Sequence, residues 1–139
     1  MCMSSCLFCR IIAKELPGYV VYETETVMAF LDIFPVHPGH VLVVPKTHAE
    51  LLTDLSESEC GEVFTVLPKI GRALQQATGC EGFTLLQNNG TASGQVVPHV
   101  HIHLIPRWST DGLRHWPGQP LAAEEGERVL QRFREAIQS

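Results

Sequence analysis

The chain has little positive charge and no long apolar run. Its 139 residues include ten lysines and arginines against fifteen acidic residues, a net charge of −5, and the basic residues form no cluster. A protein that binds the phosphate backbone of a nucleic acid needs a basic surface, so no nucleic acid polymer is expected as a partner. The charge does not exclude small phosphorylated molecules as ligands. No window approaches the roughly eighteen apolar residues that span a bilayer, so no membrane association is expected either.

Two further absences bear on localisation and domain organisation. The N-terminus MCMSSCLFCRII lacks the basic start and following apolar run of a secretory signal. The five cysteines are odd in number and scattered, which argues against a disulfide framework and fits a reducing compartment. We therefore expect a cytoplasmic protein. No repeat, low-complexity segment or linker divides the chain, so residues 1–139 are expected to form a single domain.

The sequence does contain a series of short strand-like segments. The segments YVVYE, VMAFLDI, VLVVP, GFTLLQN and HVHIHLIPR predict five strands, with the first two joined as a hairpin. Short loops between grouped strands, with helical segments inserted, favour an α+β fold. We expect a five-stranded antiparallel sheet with a long central helix and a C-terminal helix.

Both helices have recognisable patterns. Ser56 followed by Glu59 is typical of a capping box and predicts the start of the central helix, which Gly79 should end and Pro68 should kink. Spacings of three and four give this helix an apolar stripe: Val63, Leu67, Ile70, Leu74 and Ala77. The C-terminal helix is expected to turn four apolar residues inward: Val129, Leu130, Phe133 and Ile137.

Three of the chain's seven histidines lie at alternate positions of HVHIHLIPR. In an extended strand, His99, His101 and His103 share one face, and the apolar residues between them share the other. A histidine face on an inner strand indicates a cleft, a metal site or a partner surface. The preceding loop NGTASGQ can turn backbone N–H groups toward an anion, which suggests a phosphate held against a histidine nucleophile or acid.

Cys6 and Cys9 form a C-x-x-C pair whose thiolates can reach one ion. Zn²⁺ would need two more ligands, for which His48 and one histidine of the strand are candidates. A redox pair is less favoured, because no βαβ unit surrounds the motif. Two unrelated thiols remain an alternative, since one C-x-x-C is only half of a zinc signature.

The motif HVHIHLI has the pattern His-φ-His-φ-His-φ-φ, where φ is apolar, and resembles the histidine triad (HIT) family of nucleotide hydrolases and transferases. The segments from CLFCRIIAKELPGYVVYE to VLVVPKTH, and NNGTASGQVVPHVHIHLIPR, are similar to the family's N-terminal half and catalytic strand. The resemblance implies a HIT-like fold and an enzyme that releases a nucleoside monophosphate, AMP or GMP, through a covalent nucleotidyl-histidine.

The resemblance also implies roles for particular residues. His101 would be the nucleophile, its Nδ1–H held by a main-chain carbonyl, with His103 on the phosphate and His40 beside the triad. Asp32 would hold the ribose hydroxyls. The remaining substrate positions would be Gln95 and Gly94 at the phosphate, Asn88 on the phosphate side, and Phe8, Phe30 and Ile33 around the base.

For metal, zinc-containing members imply a structural zinc on Cys6, Cys9, His48 and His99. The resemblance further implies a homodimer. Two features of the sequence bear on the leaving group, which is the part of the substrate that is split from the nucleoside monophosphate. Val96 stands where many members have Ser or Thr, which removes a hydroxyl donor. Trp116 in HWPG is similar to a tryptophan of the phosphoramidase branch, although a packing role serves equally well.

These observations leave four functions open. The first is hydrolysis of a nucleoside monophosphate joined through phosphate to an amine or similar group, and the second is hydrolysis of dinucleoside polyphosphates. The third is a nucleotide-binding regulatory protein with incidental activity. The fourth is a zinc-stabilised structural module, which would leave His40, His101 and His103 without a role.

Overall fold

The computed structural model of the protein describes residues 5–138. Its helices and strands, in chain order, are α1 (Leu7–Ile12), β1 (Val20–Glu23), β2 (Val27–Leu31), β3 (Val41–Pro45), α2 (Glu57–Thr78), β4 (Gly82–Gln87), β5 (Ile102–Arg107) and α3 (Ala123–Gln138), with short 3₁₀ turns at Leu52–Asp54 and Thr91–Ser93. No helix in residues 5–138 combines the length and the apolar character needed to cross a membrane.

The five strands form one sheet in the order β1-β2-β3-β5-β4, and every neighbouring pair is antiparallel. This confirms the predicted α+β architecture and the β1–β2 hairpin. The central strands β2 and β3 are buried on both faces. Such strands read as continuous apolar runs, and VMAFL and VLVVP do so.

Each face of the sheet packs against a different helix. On one face, the apolar stripe of α2 meets Val27, Val43 and Leu104. On the other face, α1 contributes Phe8 to a second cluster with Met28, Phe30, Leu42 and Val44. The site described below lies on the α1 side.

The predicted ends of α2 are confirmed. The Ser56 hydroxyl accepts the Glu59 N–H, the Glu59 carboxylate accepts the Ser56 N–H, and Gly79 ends the helix in the left-handed region at φ +68°. Pro68 lies within the helix on an exposed turn. The apolar stripe is confirmed except at Ala77, which is exposed.

Two predictions about the elements are wrong. β5 begins at Ile102, so His99 and His101 precede the strand, and between them the Val100 N–H donates to the Ala49 carbonyl. The C-terminal helix α3 buries none of its residues: Leu130, Phe133 and Ile137 are 41%, 62% and 79% exposed. An amphipathic pattern predicts an apolar face, but it does not say which molecule covers that face.

Candidate active site and metal centre

A pocket of about 550 Å³ opens between α1, the loop after β2 and the loop before β5. Its inner wall carries Phe8, Phe30, His40, His101 and His103, which the sequence predicts as site residues. Asp32, Ile33, Asn88 and Gly94 also line it. Among the described residues that line it, none is a lysine or an arginine.

His101 presents a lone pair to this pocket. Its Nδ1 lies 2.7 Å from the backbone oxygen of His99, which can only accept, so Nδ1 carries the proton. In the neutral ring Nε2 is then unprotonated and nucleophilic. His101 is 6% exposed, and Phe8 packs edge-on against its ring at a centroid distance of 5.0 Å. The main-chain carbonyl contact expected for His101 is thus present.

His103 presents the opposite tautomer. The N–H of Val36 donates to His40 Nδ1 at 3.1 Å, so the proton of the neutral His40 ring is on Nε2. His40 Nε2 lies 2.9 Å from His103 Nδ1, and it therefore donates to that atom. The remaining proton of neutral His103 is on its Nε2. The Val36 amide, acting through His40, thus fixes the proton of His103 on Nε2. This N–H donor lies beside the His101 lone pair, because the centroids of the His101 and His103 rings are 4.9 Å apart.

Burial keeps these imidazoles neutral. It lowers the pKa of His101, whose bond to the His99 carbonyl acts in the opposite direction. Burial, together with the neighbouring His101 and His40 rings, lowers the pKa of His103 to about 4. It also lowers the pKa of His40, partly offset by the Asp32 carboxylate. The pocket therefore combines nucleophilic and donor groups with no permanent positive charge.

The residues expected around a nucleoside lie together at one end of the pocket. The Phe8 and Phe30 rings meet edge to face at 5.4 Å and form an apolar wall, with Ile33 at the rim, 69% exposed. The Asp32 Oδ1 accepts the Phe34 N–H, and its Oδ2 lies 3.7 Å from His40 Nε2. Asn88 lies across the pocket in the loop after β4.

Gln95 supports the loop rather than facing the pocket. Its side-chain oxygen accepts the Gly90 N–H at 2.7 Å, and its amide nitrogen donates to the carbonyls of Glu50 and Val97. Gly94 adopts φ +100°, which favours glycine, and turns the chain at this point. Within residues 5–138, the N–H groups of Val96 and Val97 have no hydrogen-bond acceptor. Backbone amides of this loop are therefore available for an anion.

A second cluster lies behind the pocket, where Cys6, Cys9, His48 and His99 bring four donor atoms within 4.8 Å of one another. Cys6 Sγ and Cys9 Sγ lie 3.4 and 3.6 Å from His99 Nδ1, Cys9 Sγ lies 3.4 Å from His48 Nδ1, and the two Nδ1 atoms are 3.2 Å apart. Tetrahedral Zn²⁺, with bonds of about 2.3 Å to sulfur and 2.0–2.1 Å to nitrogen, requires separations of about 3.6 Å (S to N) and 3.3 Å (N to N). The donors fit zinc.

His99 connects this cluster to His101. Its Nε2–H donates to the Pro45 carbonyl at 2.8 Å, which leaves Nδ1 unprotonated and aimed at the other three donors. The backbone oxygen of the same residue holds His101 Nδ1. His99 is completely buried, and burial lowers its pKa to about 4. The strand pattern predicted that the three histidines share one face, and this prediction is wrong. His99 faces the cysteines, whereas His101 and His103 face the pocket.

Sequence reasoning missed the backbone partners of the histidines. Val36 and Pro45 act through an N–H and a carbonyl, for which side-chain identity gives no signal. It also missed Leu7 and Ile11, which line the pocket; the available signal was Ile11, which follows Phe8 by three residues and Leu7 by four on a helix. Trp116 is 85% exposed and has no packing role within the described chain.

Comparisons with known proteins agree with this geometry. The HIT domain family matches residues 13–110. An adenosine 5′-monophosphoramidase from Schizosaccharomyces pombe is 38% identical over 136 residues, which cover 94% of this chain and 99% of that one. A Streptococcus mutans structure, SMU.412c, superposes with a TM-score of 0.93 at 36% identity, over 98% of this chain and 87% of that one. A zinc-bound histidine triad family protein from Mycobacterium smegmatis has a TM-score of 0.75 at 34% identity, over 95% and 97%. The chain belongs to the HIT family.

Proposed function

We propose that this HIT-family hydrolase releases a nucleoside monophosphate from a phosphoramidate, a compound whose nucleotide phosphorus is bonded to an amine nitrogen. The observation that carries the proposal is the pair of opposite tautomers, a lone pair on His101 and an N–H on His103, fixed by two backbone groups. The relative named as a monophosphoramidase supports the same reaction.

The reaction follows from the positions of these groups. The base lies against Phe8 and Phe30, with the ribose hydroxyls on Asp32. His101 Nε2 gives its electron pair to phosphorus, and the P–N bond breaks with its electrons on nitrogen, which takes a proton from solvent water and leaves as an amine. A water molecule then attacks phosphorus and loses a proton to solvent, the P–Nε2 bond breaks with its electrons on Nε2, and the monophosphate leaves. One difficult displacement becomes two easier ones. The His103 N–H and the Val96 and Val97 amides face the phosphate oxygens.

The charge of the pocket favours one phosphate over several. Backbone N–H groups and one imidazole N–H can stabilise the charge of a single phosphate by hydrogen bonds, but a polyphosphate chain brings two or more further charges. The described residues that line the pocket include no lysine or arginine to meet these charges, and burial lowers the pKa of His40, His101 and His103. A phosphoramidate is therefore a better substrate for this site than a dinucleoside polyphosphate.

We also propose that the four-donor cluster holds zinc as a structural ion. Burial raises the pKa of the Cys6 thiol in the protein alone, and zinc would hold the same sulfur as a thiolate. When bound, zinc supplies a closed tetrahedral anchor between α1 and the segment before β5, with no position left for substrate. In this proposal, the ion stabilises the scaffold that carries His101.

The active unit is proposed to be a homodimer. Leu130, Phe133 and Ile137 of α3 are exposed, as is Trp116, and apolar patches of this kind mark association surfaces. Light scattering at micromolar concentration should give twice the 15.4 kDa chain mass. A mass equal to one chain would overturn this proposal.

The experiment for the reaction compares two substrates in parallel. Purified protein is incubated with adenosine 5′-phosphoramidate and with diadenosine tetraphosphate, and AMP release is followed by chromatography, with His101→Ala as the control. Release from the phosphoramidate at a much higher kcat/KM supports the proposal. Preference for the tetraphosphate would make the protein a dinucleoside polyphosphate hydrolase. AMP binding with turnover of neither would favour a regulatory protein.

A further inference from the structure

The histidine tautomers of the pocket depend on one loop, residues 32–40 between β2 and β3. The Val36 N–H of this loop donates to His40 Nδ1 at 3.1 Å and decides which nitrogen of His40 carries the proton. The two ends of the loop are joined, because the Asp32 N–H donates to the His40 carbonyl at 2.9 Å. Val36 lies between these ends, so the position of its N–H depends on what the middle of the loop packs against.

His37, the next residue, lies behind the pocket and is not part of its lining. Its ring packs edge-on against Trp108 at a centroid distance of 5.5 Å, and its Nε2 lies 3.5 Å from Asp111 Oδ2. Within residues 5–138, this buried Nε2 makes no hydrogen bond. A carboxylate offers only acceptors, so the nitrogen that faces it carries a proton. The attraction between the His37 N–H and the Asp111 carboxylate therefore compensates for the burial of both groups.

Asp111 gives His37 a fixed partner. Its side chain is 4% exposed, and it accepts from Arg107 Nε at 2.6 Å and from Arg107 Nη2 at 3.2 Å. Two backbone N–H groups of the same turn also donate to it. The Arg107 guanidinium holds the pKa of this carboxyl well below its usual range, so Asp111 is charged at neutral pH. Arg107 ends β5, the strand that carries His103, and the carboxylate is thus held rigidly to that strand.

We infer that His37 is a positioning residue: its contact with Asp111 holds the loop, and with it the Val36 amide, in place. That amide fixes the proton of His40 on Nε2, and His40 in turn fixes that of His103. The N–H donor of the pocket therefore depends on a contact on the far side of the loop. The effect of His37 on the reaction rate rests on the proposed function, whereas its effect on the tautomers does not.

Two substitutions separate the N–H of His37 from its ring. His37→Phe keeps an aromatic ring beside Trp108 and has no N–H, whereas His37→Gln keeps an N–H donor and has no ring. We expect kcat for adenosine 5′-phosphoramidate to fall at least fivefold in His37→Phe, with KM within about twofold, because the donor acts on the transition state. His37→Gln should keep at least half of the wild-type kcat. His115→Phe, the same change at an exposed histidine outside both sites, should leave kcat unchanged.

The tautomers provide a readout that does not depend on the reaction. Long-range ¹H–¹⁵N NMR spectra of protein labelled with ¹⁵N-histidine distinguish protonated from unprotonated imidazole nitrogens. In the wild type at pH 7.5, His40 and His103 should each have a protonated Nε2 and an unprotonated Nδ1. In His37→Phe, the Nδ1 signals of both rings should shift toward the protonated value, because the two tautomers then exchange. In His37→Gln they should stay in place.

Two results would overturn the positioning role of His37. One is a set of His40 and His103 signals that His37→Phe leaves unchanged, and the other is a loss of kcat that His37→Gln does not restore. Absence of turnover in the wild type would instead overturn the proposed function, and the NMR comparison would still decide the role of His37. Thermal melts establish that each variant is folded. His37→Ala, whose side chain is too small to clash, has the same expected results and replaces His37→Phe if that variant does not fold.

Discussion

Replacing Cys9 by serine tests the metal centre most directly. The Cys9 sulfur lies 3.4 Å from His48 Nδ1 and 3.6 Å from His99 Nδ1, the separations that tetrahedral zinc requires. A serine hydroxyl is a harder and weaker zinc ligand than a thiolate, and its shorter bond to Cβ draws the donor atom away from the other three. The variant keeps the size and burial of the side chain, so the change acts on the ion and not on packing.

The expected loss of stability follows from linkage. We take free zinc well above the zinc dissociation constants of both the wild type and Cys9→Ser. A site that binds zinc roughly 100-fold more weakly then lowers the free energy of unfolding by about 2.7 kcal/mol. For a chain of 139 residues, a loss of this size lowers Tm by roughly 10 °C. Zinc content per chain, measured by mass spectrometry after gel filtration, should fall from near one to well below one.

The control is Cys60→Ser. Cys60 is half-buried in α2, outside the cluster, and this variant should keep both the zinc content and the Tm of the wild type. Chelation with EDTA gives a second check, because the wild type stripped of zinc should melt at or below the Tm of Cys9→Ser, which keeps a weakened site. Equal zinc content and equal Tm in wild type and Cys9→Ser would refute the assignment of the ligands.

Three further predictions concern the pocket and its loop. His101→Ala should abolish AMP release while the fold and the zinc content stay near those of the wild type, whereas His115→Ala, at an exposed histidine outside both sites, should keep full turnover. Burial lowers the pKa of His101, and burial with the neighbouring His101 and His40 rings lowers that of His103 to about 4. Both rings therefore become protonated at a lower pH than an ordinary histidine, whose pKa is about 6.5. We therefore expect kcat/KM to be constant from pH 7.5 to 6.5 and to fall only at lower pH. A fall in kcat/KM with its midpoint at or above pH 6.5 would contradict this. Gly39→Ala should cost roughly 2–4 kcal/mol in urea unfolding, because Gly39 has φ +100° and an added Cβ would lie 2.5 Å from Thr78 Cγ2. Gly61→Ala, inside α2 with open space around it, should instead be neutral or stabilising.

The elements with a regular pattern were predictable from the sequence. The hairpin, the inner strands and both ends of α2 follow from apolar periodicity and from capping residues that act within one turn of the chain. The spacing of Cys6 and Cys9 predicted half of a zinc site, the resemblance to the HIT family added His48 and His99, and the structure brings these four side chains together. The exposed face of α3 was not predictable, because an amphipathic pattern specifies a face and not its partner.

The arrangement of the histidines shows where a side-chain pattern stops being informative. Alternation along a strand predicts that His99, His101 and His103 share one face, but pairing in β5 starts only at Ile102, and the preceding backbone turns His99 toward the cysteines. What then differentiates the two remaining rings is which nitrogen carries a proton. That is decided by the carbonyl of His99 for His101, and by the N–H of Val36, through His40, for His103. Every residue type except proline offers these same backbone groups, so only the fold can assign a nucleophile to one histidine and a donor to the other.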